Sequence, residues 1–276
     1  MFHKQPIRIA ISGAGGRMWR PFMKVVTQSD KVMLCAALTY PGSKICGMDA
    51  GEIAGIGSLG IIVKENLEIV KNDFDILIDF THPEASLSYL KWCRKHNVNI
   101  IIGTTGFNEM QKLEINAAAH EIGIVFSSNF SIGINLMLKL LEKSAKVVGQ
   151  NADIEIIEAH HHNKVDAPSG TALTMGETIS KTLGYSLSDC AIYGHEKYIN
   201  QRKVTKPIGF STIRAGSIVG EHTVIFANID ERLEITHKAC SRMAFANGAI
   251  HAAVWLSSKK KNGLFNMIHV LNLEQL

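Results

Sequence analysis

Apolar positions along the chain fall into two regimes. From residue 7 to about residue 127, short continuous apolar runs alternate with longer segments of helical period. Residues 7–12 form an apolar run that ends at glycines. A helical segment to about residue 29 follows, then the apolar run 32–38. A second round begins with DILIDF at 75–80, a buried strand by its composition, and continues with a helix over 81–96. Thr81 is placed to cap that helix, with Pro83 in its first turn and Glu84 completing a capping-box spacing. A strand at 97–102, a helix at 108–121 and a strand at 124–127 complete the series. Strands and helices in this alternation predict a parallel sheet covered by helices, with right-handed crossovers. Residues 40–60 break the rhythm, since Gly42, Gly47, Gly51, Gly55, Gly57 and Gly60 predict a flexible loop, a candidate lid or cofactor-edge segment.

The pattern then changes. After a long helix at 131–149 come a strand at 153–159, a helix at 170–183, and strands at 210–214, 223–229 and 232–238. The last three alternate as antiparallel strands do, with Asp230 and Glu231 at a tight turn. A final apolar helix at 241–259 is expected to return to the first domain. The fold class is therefore α/β: an N-terminal Rossmann-type parallel-sheet domain plus a C-terminal α+β domain with a mixed, largely antiparallel sheet. The expected boundaries are 1–130, completed by 241–276, and 131–240.

A length of 276 residues, 46% hydrophobic and 20% charged, suits two globular cores and excludes disordered and fibrous classes. No apolar run approaches the roughly 20 residues that cross a bilayer, and the start MFHKQPIRIAISG lacks a signal-peptide core, so the cytoplasm is expected and no membrane. Five scattered cysteines without C-x-x-C spacing signal neither a disulfide framework nor zinc. The net charge of +4 is mild; the triplet Lys259, Lys260 and Lys261 reads as a solvated helix end rather than a nucleic-acid surface. A small anionic substrate or cofactor fits the charge better.

Gly13, Ala14, Gly15 and Gly16 follow the first strand and open the first helix, where glycine lets the backbone turn tightly and approach a pyrophosphate. The β-α-β context favours dinucleotide binding over a plain turn. Trp19 replaces the glycine expected for close helix packing, and must lean outward or push the helix from the sheet. Thr39 and Tyr40 stand where an acidic residue would hold the ribose hydroxyls, so NADH and NADPH are not distinguished by the usual code; Arg17 is able to meet a 2′-phosphate or to be a plain surface arginine. Gly103-Thr104-Thr105-Gly106 and Ser127-Ser128-Asn129-Phe130 each follow a strand end, where ligands collect in open parallel sheets, and Asn129 offers a carboxamide near the nicotinamide.

Ionisable groups concentrate in residues 158–171, EAHHHNKVDAPSGT. Three readings compete. Metal binding by His160 and His162 lacks a third ligand of obvious spacing. A solvated structural loop is a second reading. The third is an acid/base site beside an anion pocket: His160 and Lys164 exchange protons near neutrality, while Ser169, Gly170 and Thr171 open a helix whose amides and hydroxyls cradle a carboxylate.

The stretches GAGGRM (13–18), DFTHPE (79–84), GTTGF (103–107), SSNFSIGIN (127–135), EAHHHNKVDAPSGTAL (158–173) and IRAGSIVGEHTVIF (213–226) resemble the bacterial dihydrodipicolinate reductase family, also called 4-hydroxy-tetrahydrodipicolinate reductases, of the diaminopimelate and lysine pathway. The resemblance runs in order through nearly the whole chain. It implies a Rossmann domain that binds NADH or NADPH and a C-terminal domain that binds a small dicarboxylate and assembles a homotetramer; the residue spacing and charge above add no metal and no nucleic acid. It implies His160 as proton donor/acceptor and Lys164 as proton donor, with His161, Gly170 and Thr171 at the substrate. On the cofactor side it implies Gly13, Ala14, Gly15, Gly16, Arg17, Met18, Gly103, Thr104, Thr105, Ser127, Ser128, Asn129 and Phe130. Many members carry glycine at Trp19, an acidic then a basic residue at Thr39 and Tyr40, and sometimes arginine at His82; these departures all lie on the cofactor side. Two alternatives stand beside this reading: another Rossmann reductase of oxo acids or imines, and a dinucleotide-sensing protein without catalysis.

Overall fold

A computed structural model of the chain describes residues 5–194, 206–259 and 262–276. The first residues of the start segment, and Lys260 and Lys261 of the lysine triplet, lie outside the described residues; Lys259 rests over the Trp255 ring, 4.6 Å from its centroid. The chain forms two compact units, one of residues 1–132 with 242–275, the other of residues 133–241.

The first unit begins with β1 (Ile7–Ser12), α1 (Trp19–Thr27), β2 (Val32–Leu38), α2 (Ala50–Ala54), β3 (Val63–Lys64), β4 (Ile76–Asp79), α3 (Pro83–His96), β5 (Asn99–Ile102), α4 (Glu109–Ala118) and β6 (Gly123–Phe126). The second unit contains α5 (Ile132–Val148), β7 (Asp153–His160), α6 (Gly170–Leu183), α7 (Leu187–Cys190), β8 (Ala191–Tyr193), β9 (Ile208–Arg214), β10 (Gly220–Ala227) and β11 (Arg232–Ala239). The chain returns to the first unit with α8 (Met243–Ser258), β12 (Gly263–Phe265) and α9 (Met267–Val270).

The first sheet has the order β12-β6-β5-β4-β1-β2-β3 and is parallel throughout. Both of its faces are covered, which is why its central strands read as unbroken apolar runs. Because successive side chains point to opposite faces, Ile9, Ile11, Ile76, Ile78 and Ile101 meet Trp19, Phe22 and Met23 of α1 and Ala246, Ala249 and Ala253 of α8 in one core. Ala10, Leu77, Ile100, Ile102 and Ile124 meet Leu90, Cys93, Ile115 and Ala118 of α3 and α4 in the other. The small residues of α8 permit a close approach: a Cβ at Gly248 would stand 1.7 Å from the Phe130 carbonyl oxygen.

Several local expectations are corrected. Helix α1 starts at Trp19, after a turn over residues 14–18, so the glycines precede it by a short turn rather than opening it. Trp19 neither leans outward nor spreads the helix from the sheet. Its ring is 2% exposed, and its Nε1–H donates to the Ala50 carbonyl at 3.0 Å, so the indole fills space that the 40–60 segment supplies. That segment is ordered: it contains α2 and is pinned by one carboxylate. Asp49 accepts the amides of Gly51, Glu52, Leu59 and Gly60 at 2.7 to 3.1 Å, and the Ser58 hydroxyl. These donors, the Leu59 amide foremost, hold the Asp49 carboxyl at about 2. His82, not Thr81, is the N-cap residue of α3, and its side chain makes no cap bond; the Thr81 hydroxyl is committed to Asp79 instead. Asn108 caps α4 with a full capping box to Gln111.

The second sheet has the order β11-β10-β7-β9-β8, with β10 antiparallel to β11 and β7, and β9 parallel to β7 and β8. The alternation over 210–214 thus belongs to a parallel pair, because alternation reports burial of one face, not strand direction. Ile154, Ile156, Phe210, Val224 and Phe226 pack on Met137 and Leu141 of α5 and Met175 and Ile179 of α6.

Candidate active site

In the first unit the ends of β1, β2 and β4 surround a cleft of about 670 Å³, lined among others by Gly13, Ala14, Gly15, Gly16, Thr39 and Tyr40. Gly13 and Gly15 have φ of 81° and 79°, a region costly to side chains, and a Cβ on Gly16 would press within 3.0 Å of the Gly13 oxygen. The cradle therefore needs glycine. The Thr39 hydroxyl is buried in the cleft wall without a hydrogen-bond partner among the described residues, and a ligand hydroxyl or phosphate would satisfy it. These residues fit a dinucleotide, with its pyrophosphate over the glycines.

Ser43 and Lys44 line the same cleft and were not singled out from the sequence as cofactor contacts; His82, a departure placed on the cofactor side, lines it too. Arg17, Met18, Gly103, Thr104, Thr105, Ser127, Ser128 and Asn129 are absent from that lining. Thr104 is buried, and its hydroxyl accepts the Thr81 amide at 3.0 Å. Phe130 is buried against Phe80, so its ring belongs to the core. Gly103 has a structural reason to be glycine, since a Cβ there would fall 2.3 Å from the Phe80 ring. Ser127 donates to the Asn129 carbonyl, and Asn129 Oδ1 accepts the Ser131 amide.

Beneath the cleft lies Asp79, which is fully buried at the end of β4. Its carboxylate accepts the hydroxyls of Ser12 at 2.6 Å, Thr81 at 2.7 Å, Thr104 at 3.2 Å, and Ser86. One buried acid thus ties β1, β4 and the loop after β5 together, and only charge-assisted bonds of this number make its burial tolerable.

In the second unit the candidate chemistry sits at the end of β7. Sheet register places His160 beside Arg214, and Glu158 between Thr212 and His222. The Arg214 guanidinium grips both oxygens of Glu158 at 2.8 Å, while Glu158 Oε2 meets His160 Nδ1 at 2.6 Å. Glu158 Oε1 also accepts the Ser169 amide and the Thr212 hydroxyl. Burial opposes ionisation of Glu158, but Arg214 and His160 outweigh it and hold the carboxyl below its usual value. Burial also lowers the His160 pKa, with Glu158 partly restoring it. The contact with Glu158 makes Nδ1 the protonated nitrogen and leaves Nε2 for chemistry.

His222 packs edge-on to His160 with ring centroids 5.2 Å apart, and its Nε2 meets the Ser169 hydroxyl at 3.1 Å. Burial, then the charge of His160, lowers its pKa to about 4. Ser169 is buried and caps α6 through the Ala172 amide, so its polar atoms are engaged inside the protein. At Gly170 a Cβ would meet nothing, which leaves the start of α6 open to a ligand. Lys164 is held by both oxygens of Asp166 at 2.7 and 2.9 Å. His161 and Thr171 are partly exposed, and His162 Nδ1 lies 3.0 Å from the Gly216 oxygen. Among the described residues no group of three or more His, Cys, Asp or Glu is placed to hold a metal.

Sequence reading missed Asp79, Lys44, Arg214 and His222 and gave Glu158 no role. An acid closing a fully apolar strand was the available signal for Asp79.

The histidines also set an acid limit to stability. A chain that binds a proton at about 6.5 when unfolded but only at about 4 at His222 when folded keeps the full contribution above pH 6.5 and loses it as pH falls. Between pH 7 and pH 4 this amounts to about 3 kcal/mol. Chemical denaturation at a series of pH values should give His222→Leu a flatter decline than the parent over that window; parallel declines would remove His222 as its source.

Comparison with known proteins identifies the family. The family profile described as dihydrodipicolinate reductase, N-terminus, matches residues 7–130, and that described as dihydrodipicolinate reductase, C-terminus, matches residues 133–271. The fold is similar to that of a dipicolinate-bound dihydrodipicolinate reductase from Paenisporosarcina sp. TG-14, with a TM-score of 0.73 and 24% identity over 95% of this chain and 98% of that one. It is also similar to aspartate semialdehyde dehydrogenase II from Vibrio cholerae, with a TM-score of 0.57 and 12% identity over 93% and 100% of the two chains. The diaminopimelate dehydrogenase of C. glutamicum has a TM-score of 0.55 and 12% identity over 97% and 96%. With both of the family's halves matched in order along it, the chain belongs to the dihydrodipicolinate reductase family and is an NAD(P)H-dependent oxidoreductase.

Proposed function

We propose that this enzyme reduces 4-hydroxy-tetrahydrodipicolinate (dihydrodipicolinate) to tetrahydrodipicolinate in diaminopimelate and lysine biosynthesis. The observation that carries the reading is the buried Glu158–Arg214 pair beneath His160, beside the open start of α6. In this reading residues 1–130 with 241–276 bind the dinucleotide, while residues 131–240 bind the substrate and assemble a homotetramer. The Paenisporosarcina reductase holds dipicolinate, a flat dicarboxylate of the same class. A cytoplasmic location accords with the absence of any described helix long and apolar enough to cross a membrane.

NADH or NADPH, when bound, supplies a hydride. The chain's own residues handle the rest. The amides at the α6 N-terminus, Gly170 and Thr171, with His161 nearby, receive a substrate carboxylate in place of Asp166, which the Gly170 amide holds in its absence. His160 is neutral at pH 7 because burial lowers its pKa, and Glu158 orients it so that its bare Nε2 accepts a proton from Lys164 and passes it to the substrate to balance the hydride. Lys164, released from Asp166 as the carboxylate arrives, is the cationic proton source.

The test is a spectrophotometric assay of NADH and NADPH oxidation with enzymatically made substrate, on protein whose mass in solution is that of four chains. Oxidation with tetrahydrodipicolinate as product is expected. Absence of oxidation with both cofactors, from folded tetramer, would overturn the reading.

A further inference from the structure

We propose that Tyr40, Ser43 and Lys44 read the adenosine end of the dinucleotide and select the 2′-phosphorylated cofactor, NADPH, over NADH. The inference rests on the reading of the first-unit cleft as the dinucleotide site. In a parallel sheet of this order, the pyrophosphate lies over the loop after β1 and the adenosine ribose at the end of β2. Enzymes selective for NADH place a carboxylate there, which binds both ribose hydroxyls and repels a phosphate. Here β2 ends at Leu38 and is followed by Thr39 and Tyr40, and among the described residues no Asp or Glu lines the cleft. Glu65, the carboxylate bound to this loop, is outside the lining and accepts the Gly42 amide at 2.8 Å.

What replaces the missing acid is cationic. Lys44 lines the same wall, is exposed, and pairs with no carboxylate among the described residues. Ser43 beside it adds a hydroxyl, and Tyr40, 67% exposed, offers a ring face for adenine. The buried, unpartnered Thr39 hydroxyl stands where the ribose would lie. None of this is left to a floppy loop. The Ser43 amide donates to the Tyr40 carbonyl, the Gly47 amide to Val63 of β3, and Asp49 gathers the rest of the segment. The backbone of Lys44 is therefore held at the rim before a cofactor arrives, so ordering its side chain is the main entropy cost of the contact. Arg17 is absent from the lining, which leaves Lys44 as the lysine or arginine among the lining residues able to meet the phosphate.

Titration calorimetry with NADPH, NADH, 2′,5′-ADP and 5′-ADP tests this without reference to turnover. The parent protein should bind NADPH about tenfold or more tightly than NADH, and 2′,5′-ADP more tightly than 5′-ADP, as a charge-assisted phosphate contact implies. Lys44→Ala should erase most of both ratios, and Lys44→Arg should keep them. Equal or tighter binding of NADH by the parent, or a ratio that survives Lys44→Ala, would overturn the proposal while leaving the reductase reading intact. Failure to bind either dinucleotide would instead overturn the assignment of the cleft, and the selectivity with it.

Discussion

Replacing His160 with alanine lowers turnover by about 10²- to 10⁴-fold, the usual contribution of a positioned general acid–base. The expectation follows from what surrounds the ring. A buried Glu158, neutralised by a two-pronged Arg214, has no structural need for a histidine partner, yet spends one carboxylate oxygen on Nδ1 at 2.6 Å. That contact orients the imidazole and selects its tautomer. Alanine removes the proton carrier and leaves Glu158 still paired with Arg214, so the unit should remain folded and bind substrate analogues. The steady-state constants separate the cases: a fall in kcat with dipicolinate affinity retained marks proton transfer, whereas near-normal kcat would remove His160 from the mechanism. Lys164→Ala is expected to fall in the same range. Its loss frees Asp166, which faces the same loop, so the KM should rise as well.

Trp19→Gly is expected to destabilise the first unit by about 3–5 kcal/mol, the range for emptying an aromatic site in a core. Viewed as an obstruction, the indole would be a residue whose removal tightens cofactor binding. Its position gives the opposite sign. Trp19 is 2% exposed among Phe22, Met23, Ala50 and Ala54, and its N–H satisfies the Ala50 carbonyl. Glycine leaves a cavity, an orphaned carbonyl and a looser first turn of α1, each unfavourable. Trp92 and Trp255 remain in the same unit as fluorescence reporters of its denaturant transition. A markedly lower midpoint with NADPH affinity unchanged or weaker is the expected result; an unchanged midpoint with tighter binding would restore the obstruction view.

Legibility in the sequence followed sequence distance. The parallel sheet was readable because a strand covered on both faces must be apolar at every position, as Ile76 to Ile78 are. The segment 158–171 was readable because His160, Lys164 and the start of α6 lie within a dozen or so consecutive residues. Arg214 and His222 were not, since nothing local marks them. They join Glu158 only through the register of β9 and β10 against β7, and a slip of one residue would turn them to the other face. The 40–60 segment misled for a related reason: its glycines report backbone freedom, but a single buried carboxylate, Asp49, collects the amides that such freedom exposes.

Local chemistry along the chain was thus enough for the fold class and the order of the elements, and for proposing the glycine cradle and the acid/base segment, because periodicity, turn residues and contiguous motifs act over a few residues. Packing and strand register settled the sense of Trp19, the Asp79 knot beneath the cleft, the Glu158–Arg214 support of His160 and the company Lys44 keeps. Those are properties of side chains tens of residues apart. Their energies arise only when burial strips water from them and geometry brings a donor to each acceptor.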